Sequence, residues 1–362
     1  MKLSTLLLSS AALVVAGSAY AADLPAKKAA PAAATGCPAF GAGFFQIPGG
    51  DTCIKFSGHA RYLGSYTTDS TDTKTAAYSQ GGRLQLETDV RSNTEIGTLR
   101  GFSRLRADSA GAKGNKYYVQ FAGLTAGKKG SIIDFAGTNA ENYGAHLGSN
   151  ATELGLNYDL PLGASTLSFG LENAEDNDQN NTGVGGNAFA GGVSDRPDLL
   201  IGFASKAGPA DIKIAFASHE AVDASDASTS TSSQGYAGLA RIGFALGNGF
   251  GAAAFGGISE AASKFTTKGN LSDLSGSEKA KGSNFGGEIT FATGSGTLAI
   301  AADQSEEKLA GSKSKVTNYG VSYVYNATKN LAIEPEFVSE TTDTDGTKTT
   351  SNTVYLRIQR DF

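Results

Sequence analysis

The stretch 353–362, TVYLRIQRDF, decides the fold. Read with a period of two, Val354, Leu356, Ile358 and Phe362 fall on one face and Thr353, Tyr355, Arg357, Gln359 and Asp361 on the other. Arg360 is the only charge on the apolar side. A segment of this kind is a strand with one oily and one wet surface. One such strand suits a soluble sheet equally well, so its meaning rests on repetition along the chain. Leu199, Ile201 and Phe203 share a face, and Ile212, Ile214 and Phe216 answer them across Gly208-Pro209. Leu154, Leu156, Tyr158 and Leu160 stand beside Leu167, Phe169 and Leu171, while Tyr319, Val321, Tyr323 and Tyr325 precede Leu331, Ile333 and Phe337. The opposite faces carry Ser, Thr, Asn, Gly, Lys and Glu.

Two kinds of connection separate these strands. Tight ones hold Gly, Pro or Asn, at Gly208-Pro209, Gly247-Asn248-Gly249, Gly294-Ser295-Gly296 and 326–330. Longer, polar ones are expected at 67–80, 174–195, 220–234, 260–283, 304–314 and 341–350. Short and long connections alternate, as the turns and loops on the two rims of a membrane barrel do. Sixteen strands are expected, the first over about 53–66 and the last over 350–362, with 116–131 the weakest in alternation. An even count puts both chain ends on one rim, and a barrel of sixteen strands leaves an aqueous lumen. The expected fold is therefore all-β, a 16-stranded antiparallel transmembrane β-barrel.

The first 21 residues fit export to a membrane. Lys2, an apolar run from Leu6 to Gly17 and Ala19-Tyr20-Ala21 read as a signal peptide over 1–21;. No run of about 18 apolar residues follows, so a bilayer can be crossed only by a closed barrel, whose backbone groups are all paired internally. Residues 22–52, rich in Ala, Pro and Lys at first, read as a periplasmic N-terminal segment, and 53–362 as the barrel. Charged residues make up 18% of the chain, low against the ~25% of soluble domains. Without Lys2 the remainder has 29 basic and 35 acidic residues, a balance that argues against nucleic acid as a partner;. The expected partners are outer-membrane lipids and lipopolysaccharide, small hydrophilic solutes and ions. Cys37 and Cys53 are the only cysteines and, in an exported chain, read as one disulfide;. With three scattered histidines they make no metal site, and no cofactor is expected.

Three segments, Cys37–Arg61 (CPAFGAGFFQIPGGDTCIKFSGHAR), Gly97–Arg106 (GTLRGFSRLR) and the closing TVYLRIQRDF, resemble the alphaproteobacterial general porins of rhizobia and their relatives. The two-cysteine opening is the most specific of them, and the terminal Phe362, an assembly signal, is shared by outer-membrane barrels in general. The resemblance implies a homotrimer with sixteen strands per chain and a third loop folded into the lumen. The family's second motif carries a glutamate where this chain has Ser103.

Arg100, Arg104 and Arg106 share parity on the third strand. An arginine facing lipid at mid-bilayer costs roughly 2–4 kcal/mol, so this face is expected to look into the lumen. The same parity sends Lys55, His59 and Arg61 inward on the first strand and Arg83, Gln85, Glu87 and Asp89 on the second. The third loop, 132–149, carries Asp134 and Glu141, expected to face this basic wall and set a transverse field. Rings and clusters of charge are the ordinary means of pore selectivity. Asp176-x-Asp178-x-Asn180 opens like a calcium loop but lacks its glycine and closing glutamate, having Asn181 and Asn187 there;. The expected function is passive diffusion of small hydrophilic solutes and ions through a water-filled outer-membrane channel. A non-conducting structural or adhesive barrel is the alternative. A barrel hydrolase would need His59, His146 or His219 beside a nucleophile, and none sits in such a signature, so no enzyme is expected;.

Overall fold

A computed structural model describes residues 36–70, 76–134, 152–173, 196–222, 231–267 and 272–362. Period-two alternation produces sixteen wall strands. They are β1 (Cys53–Asp69), β2 (Ala76–Thr94), β3 (Gly97–Asp108), β4 (Gly111–Phe121), β5 (Leu124–Gly130), β6 (Thr152–Leu162), β7 (Ser165–Glu172) and β8 (Asp198–Ala207). The second half comprises β9 (Ala210–Val222), β10 (Ser232–Gly247), β11 (Phe250–Glu260), β12 (Lys281–Thr293), β13 (Gly296–Leu309), β14 (Ser312–Thr328), β15 (Leu331–Thr344) and β16 (Thr347–Asp361). Each runs antiparallel to its neighbours in chain order. β16 returns to β1, from Ser351 opposite Asp69 to Asp361 opposite His59, and closes the sheet. Phe362 completes the seam by exchanging two backbone hydrogen bonds with Gly58, at 3.1 and 3.0 Å.

The barrel is apolar outside and polar inside. Phe216 is 59% exposed, Ile289 60% and Ile258 70%, whereas Asn318 on the inner face is 1% exposed. Each large apolar side chain left in water would forgo roughly 1.5–3 kcal/mol, so a continuous outer band of them is stable only against lipid. Aromatic residues edge that band. Phe250 and Phe291, with ring centroids 4.5 Å apart, and Tyr323 and Tyr325 lie toward the rim where β1 begins and β16 ends. Tyr66, Tyr78 and Tyr236 lie toward the opposite rim. Such paired girdles mark the two interfaces of a bilayer. Among the described residues no helix is long and apolar enough to cross a membrane, as befits a chain that crosses with strands;.

Two expected long connections are in fact tight turns. The segments 304–314 and 341–350 are mostly strand, broken only at Ala310-Gly311 and Asp345-Gly346. Both residues of each pair have positive φ, 52° and 83° in the first and 52° and 87° in the second. That backbone matches the twist of the flanking strands, and Asp-Gly is a strong hairpin signal. Their polar flanks reflect strands that rise beyond the apolar band, not loops.

A third correction concerns 260–283, expected to be a solvated loop. After β11 the chain turns inward through a short 3-10 helix, Ser263–Phe265. Ala261, Ala262, Phe265, Thr266, Leu274 and Ala280 are buried. At the near rim, Phe45–Gln46 pairs with Cys53 and Ile54, and the Cys37–Cys53 disulfide ties this segment to the start of β1.

Candidate functional site

The inward faces fall into sectors of distinct chemistry. On β1–β4 the cross-strand register aligns Lys55 with Asp89, Arg61 with Arg83, Arg91 with Arg100, Glu87 with Arg104, and Arg104 with Lys116. The six basic residues expected from the sequence, Lys55, Arg61, Arg83, Arg100, Arg104 and Arg106, thus come together, and Arg91 and Lys116 join them. Among these residues eight cations face two carboxylates, Glu87 and Asp89, for a formal charge of +6, and Lys113 stands opposite Arg106 toward the far rim.

Hydrogen bonds fix the shape of this ladder. Asp89 accepts from Arg91 at 3.0 and 2.7 Å and from Arg100 at 3.0 and 3.0 Å. Arg104 donates to Glu87 at 2.7 Å, Arg106 to Gln85 at 2.9 Å, and Arg61 to Gln359 at 2.8 Å. Phe102, an apolar residue on the lumenal face, stacks on Tyr118 at 5.1 Å, and the Arg100 guanidinium lies 5.3 Å from its ring centroid. A recess of about 420 Å³ opens here, lined by Glu87, Arg100, Arg104, Lys116, Tyr118 and Lys129. Bidentate guanidinium pairs of this kind are rigid as well as charged.

A second quarter of the wall, β12–β15, is acidic. The inward residues include Glu288, Asp303, Glu307, Glu334, Glu336 and Glu340, with no inward cation among the described residues of these four strands. Asp303 accepts from Asn284 at 3.1 Å and Asn318 at 3.2 Å. Glu334 pairs with Arg357 of β16, where the acidic and basic sectors meet. The sequence points only to the third loop for an acidic counterpart. Asp134, at the start of that loop, lies beside the basic sector itself: a Cβ on Gly130 would stand 3.2 Å from Asp134 Oδ2 and 3.5 Å from the Lys116 ammonium. Glu141 lies outside the described residues, as do His146 and the calcium-like 176–187 stretch.

The third quarter, β8–β11, carries an apolar patch inside, with Leu200, Ala215, Ala217, Ala237, Leu239 and Phe255 buried, flanked by Asp198 and His219 on one side and by the Arg241–Asp211 pair on the other. It seats what folds in from the far rim. Ile133 at the start of the third loop belongs to this cluster, and Ile132 reaches the inner faces of Gly170 and Gly202. Glu172 holds the entry of the loop. It accepts from Ser131 Oγ at 2.5 Å and from the Ile132 N–H at 3.1 Å. The expected inward course of the third loop is thereby visible over 131–134.

Phe265, from the segment after β11, sits on the same apolar patch. Its ring meets His219 edge-on at 6.0 Å. Lys264 reaches Asp198 Oδ2 at 2.6 Å, and His219 Nδ1 lies 2.7 Å from Asp198 Oδ1. Asp273 accepts from the backbone and side chain of Ser263 at 2.7 and 2.6 Å. Sequence reasoning misses this buried latch of Asp198, His219, Lys264 and Asp273. Of its signals, only the small inward residues Ala215, Ala217 and Ala221 are legible in the strands themselves.

The fold and the lumen can be set beside known proteins. A putative outer membrane protein of Sinorhizobium fredii is 35% identical over 145 residues, covering 35% of this chain and 42% of the relative. A porin, Omp2b of Brucella canis, is 36% identical over 151 residues, 35% of this chain and 41% of its own length. The alignments thus span about two fifths of the curated relatives. In architecture the chain is similar to the outer membrane channel DcaP of Acinetobacter baumannii, with a TM-score of 0.72 at 13% identity, over 88% of this chain and 99% of that one. The profile of the porin subfamily matches residues 25–359, nearly the whole chain. A closed sixteen-stranded barrel, apolar outside and charged within, whose sequence fits that profile over residues 25–359, belongs to the porin subfamily and to the outer membrane.

Proposed function

We propose that the chain forms a water-filled channel for passive diffusion of small hydrophilic solutes and ions across the outer membrane. The observation that carries this is the division of the lumen into a +6 sector on β1–β4 and a six-carboxylate sector on β12–β15. A barrel that served only as a scaffold would have no use for two charged walls facing one water-filled space. Cations and anions passing such a lumen follow different walls, and a dipolar solute is turned to lie across it. The rim where β1 begins and β16 ends faces the periplasm and the opposite rim the exterior, in keeping with a segment before β1 pinned by the Cys37–Cys53 disulfide.

The working unit is a homotrimer. Most of the outer wall is Leu, Ile, Phe and Tyr, but on β2–β5 small and hydroxyl-bearing residues, Thr88, Gly101, Ser103 and Ala126, sit among Val90, Tyr117 and Val119 around a depression of about 400 Å³. Small and hydroxyl-bearing residues suit contact with a second protein wall better than contact with acyl chains. Outer-membrane lipids and lipopolysaccharide would cover the rest. The reading is tested in a planar bilayer: purified protein should give stepwise conductance in groups of three, with a reversal potential in a salt gradient. A protein that folds yet passes no current would overturn it.

A further inference from the structure

On the outer face of the far rim, lysines stand in a row. Lys281 of β12, Lys308 of β13 and Lys313 of β14 are direct cross-strand neighbours. Lys315 and Lys348 extend the row on either side of Asp343. Like charges placed opposite one another destabilise a sheet. Glu306 offsets part of this, meeting Lys308 at 2.7 Å and Lys313 at 2.8 Å. Lys281 stands opposite Glu260 of β11, which pairs instead with Lys279 at 3.8 Å, so Lys281 makes no ion pair among the described residues. A cavity of about 690 Å³ opens above the row, lined by Lys279, Lys281, Lys308, Lys313, Glu260 and Glu278 and floored by the Ala310-Gly311 turn.

The position of the row names its occupant. Lys281 shares its face with Phe285, Ile289 and Phe291, and Lys315 shares one with Tyr319 and Val321. Four residues of strand separate Lys281 from Phe285, about 13 Å. The ammonium groups therefore point outward just above the apolar band, at the height of lipid headgroups and not in the pore. Outward lysines at this rim are confined, among the described residues, to this side of the barrel.

We infer that the Lys281–Lys308–Lys313 row with its cavity is a docking site for the multiply anionic headgroup of an outer-leaflet glycolipid, whose acyl chains lie on the apolar band below. The inference rests on the outward orientation of the far rim proposed above. Full-length protein in detergent is titrated with bisphosphorylated lipid A and followed by native mass spectrometry, with conductance recorded in parallel. Converting all three lysines to serine should weaken binding about 100-fold, at roughly fivefold per lysine, while conductance is kept. Lys281→Glu alone, which breaks no ion pair, should weaken it by more than tenfold even if the triple variant fails to fold. Replacing the three lysines by arginine should leave binding intact. Unchanged binding in Lys281→Glu would overturn the inference, as would displacement by millimolar inorganic phosphate, which would mark a site for free anions only. A conducting channel with unaltered lipid affinity refutes the docking site alone, whereas loss of conductance in the native protein would refute the channel.

Discussion

Changing Arg100, Arg104 and Arg106 together to Ser tests whether the basic sector governs ion flow. The sector falls from eight cations and two carboxylates to five and two, from +6 to +3. With about 6 Å between each guanidinium and a passing ion in water, each charge contributes about 0.4 kcal/mol at 0.1 M salt and about 0.1 kcal/mol at 1 M. Three of them give about 1.1 and 0.3 kcal/mol, an enrichment of cations of about sixfold in dilute salt and under twofold in concentrated salt. Reversal potential in a salt gradient should therefore move toward cation preference, strongly at 0.1 M and weakly at 1 M. Folding should survive, because Asp89 keeps Arg91 and Glu87 keeps the Gln85 amide at 2.8 Å. Heat-modifiable migration of the protein checks that point. An unchanged reversal potential at 0.1 M would show that these arginines lie off the ion path. A shift of equal size at both salt concentrations would show a change of pore width and not of field.

Four further outcomes follow from other parts of the wall. Glu172→Ala removes the acceptor that holds Ser131 and the Ile132 N–H, at a cost of about 1–3 kcal/mol, and should give noisier single-channel traces with higher mean conductance;. Asp198→Asn leaves Lys264 without its buried counter-charge, a loss of about 3 kcal/mol, so cleavage between Ser263 and Lys279 by added protease should accelerate while the barrel core resists;. Cys37→Ser with Cys53→Ser opens a loop of sequence separation 16, worth about 3 kcal/mol in the chain-entropy model, and should expose the N-terminal segment to proteolysis;. Gly58→Ala drives a Cβ into the Gln85 carbonyl and to 2.9 Å from the Phe362 ring, so the yield of folded barrel should fall in refolding assays.

What is legible in the sequence depends on how far apart the deciding residues lie. Strand identity and facing are local, so parity and the cost of charge in lipid are enough to assign Arg100, Arg104 and Arg106 to one face, the one that carries Glu87 and Asp89 on the adjoining strand. Their neighbours Arg83, Glu87 and Asp89 come from the adjoining strand, and one hairpin register brings them together. The acidic sector obeys the same parity: Glu334 and Glu336 alternate with Ile333 and Phe337, and Glu288 lies beside Ile289. What parity cannot supply is that these carboxylates gather in one quarter of the circumference, since this follows from the register of three successive hairpins.

The inward segment after β11 escapes a sequence reading for a different reason. Its Ser, Lys and Gly content is that of a solvated loop, and the force that buries it resides elsewhere, in apolar residues on the lumenal face of β8–β11. Leu200, Ala217, Leu239 and Phe255 look like lapses in a polar-inside pattern when each strand is read alone. Taken as a surface, they are a seat for Ile133 and Phe265, and an apolar patch inside a water-filled barrel requires a cover. An inward apolar cluster spread over neighbouring strands is thus the sign, carried by the wall and not by the loop, that a loop turns in.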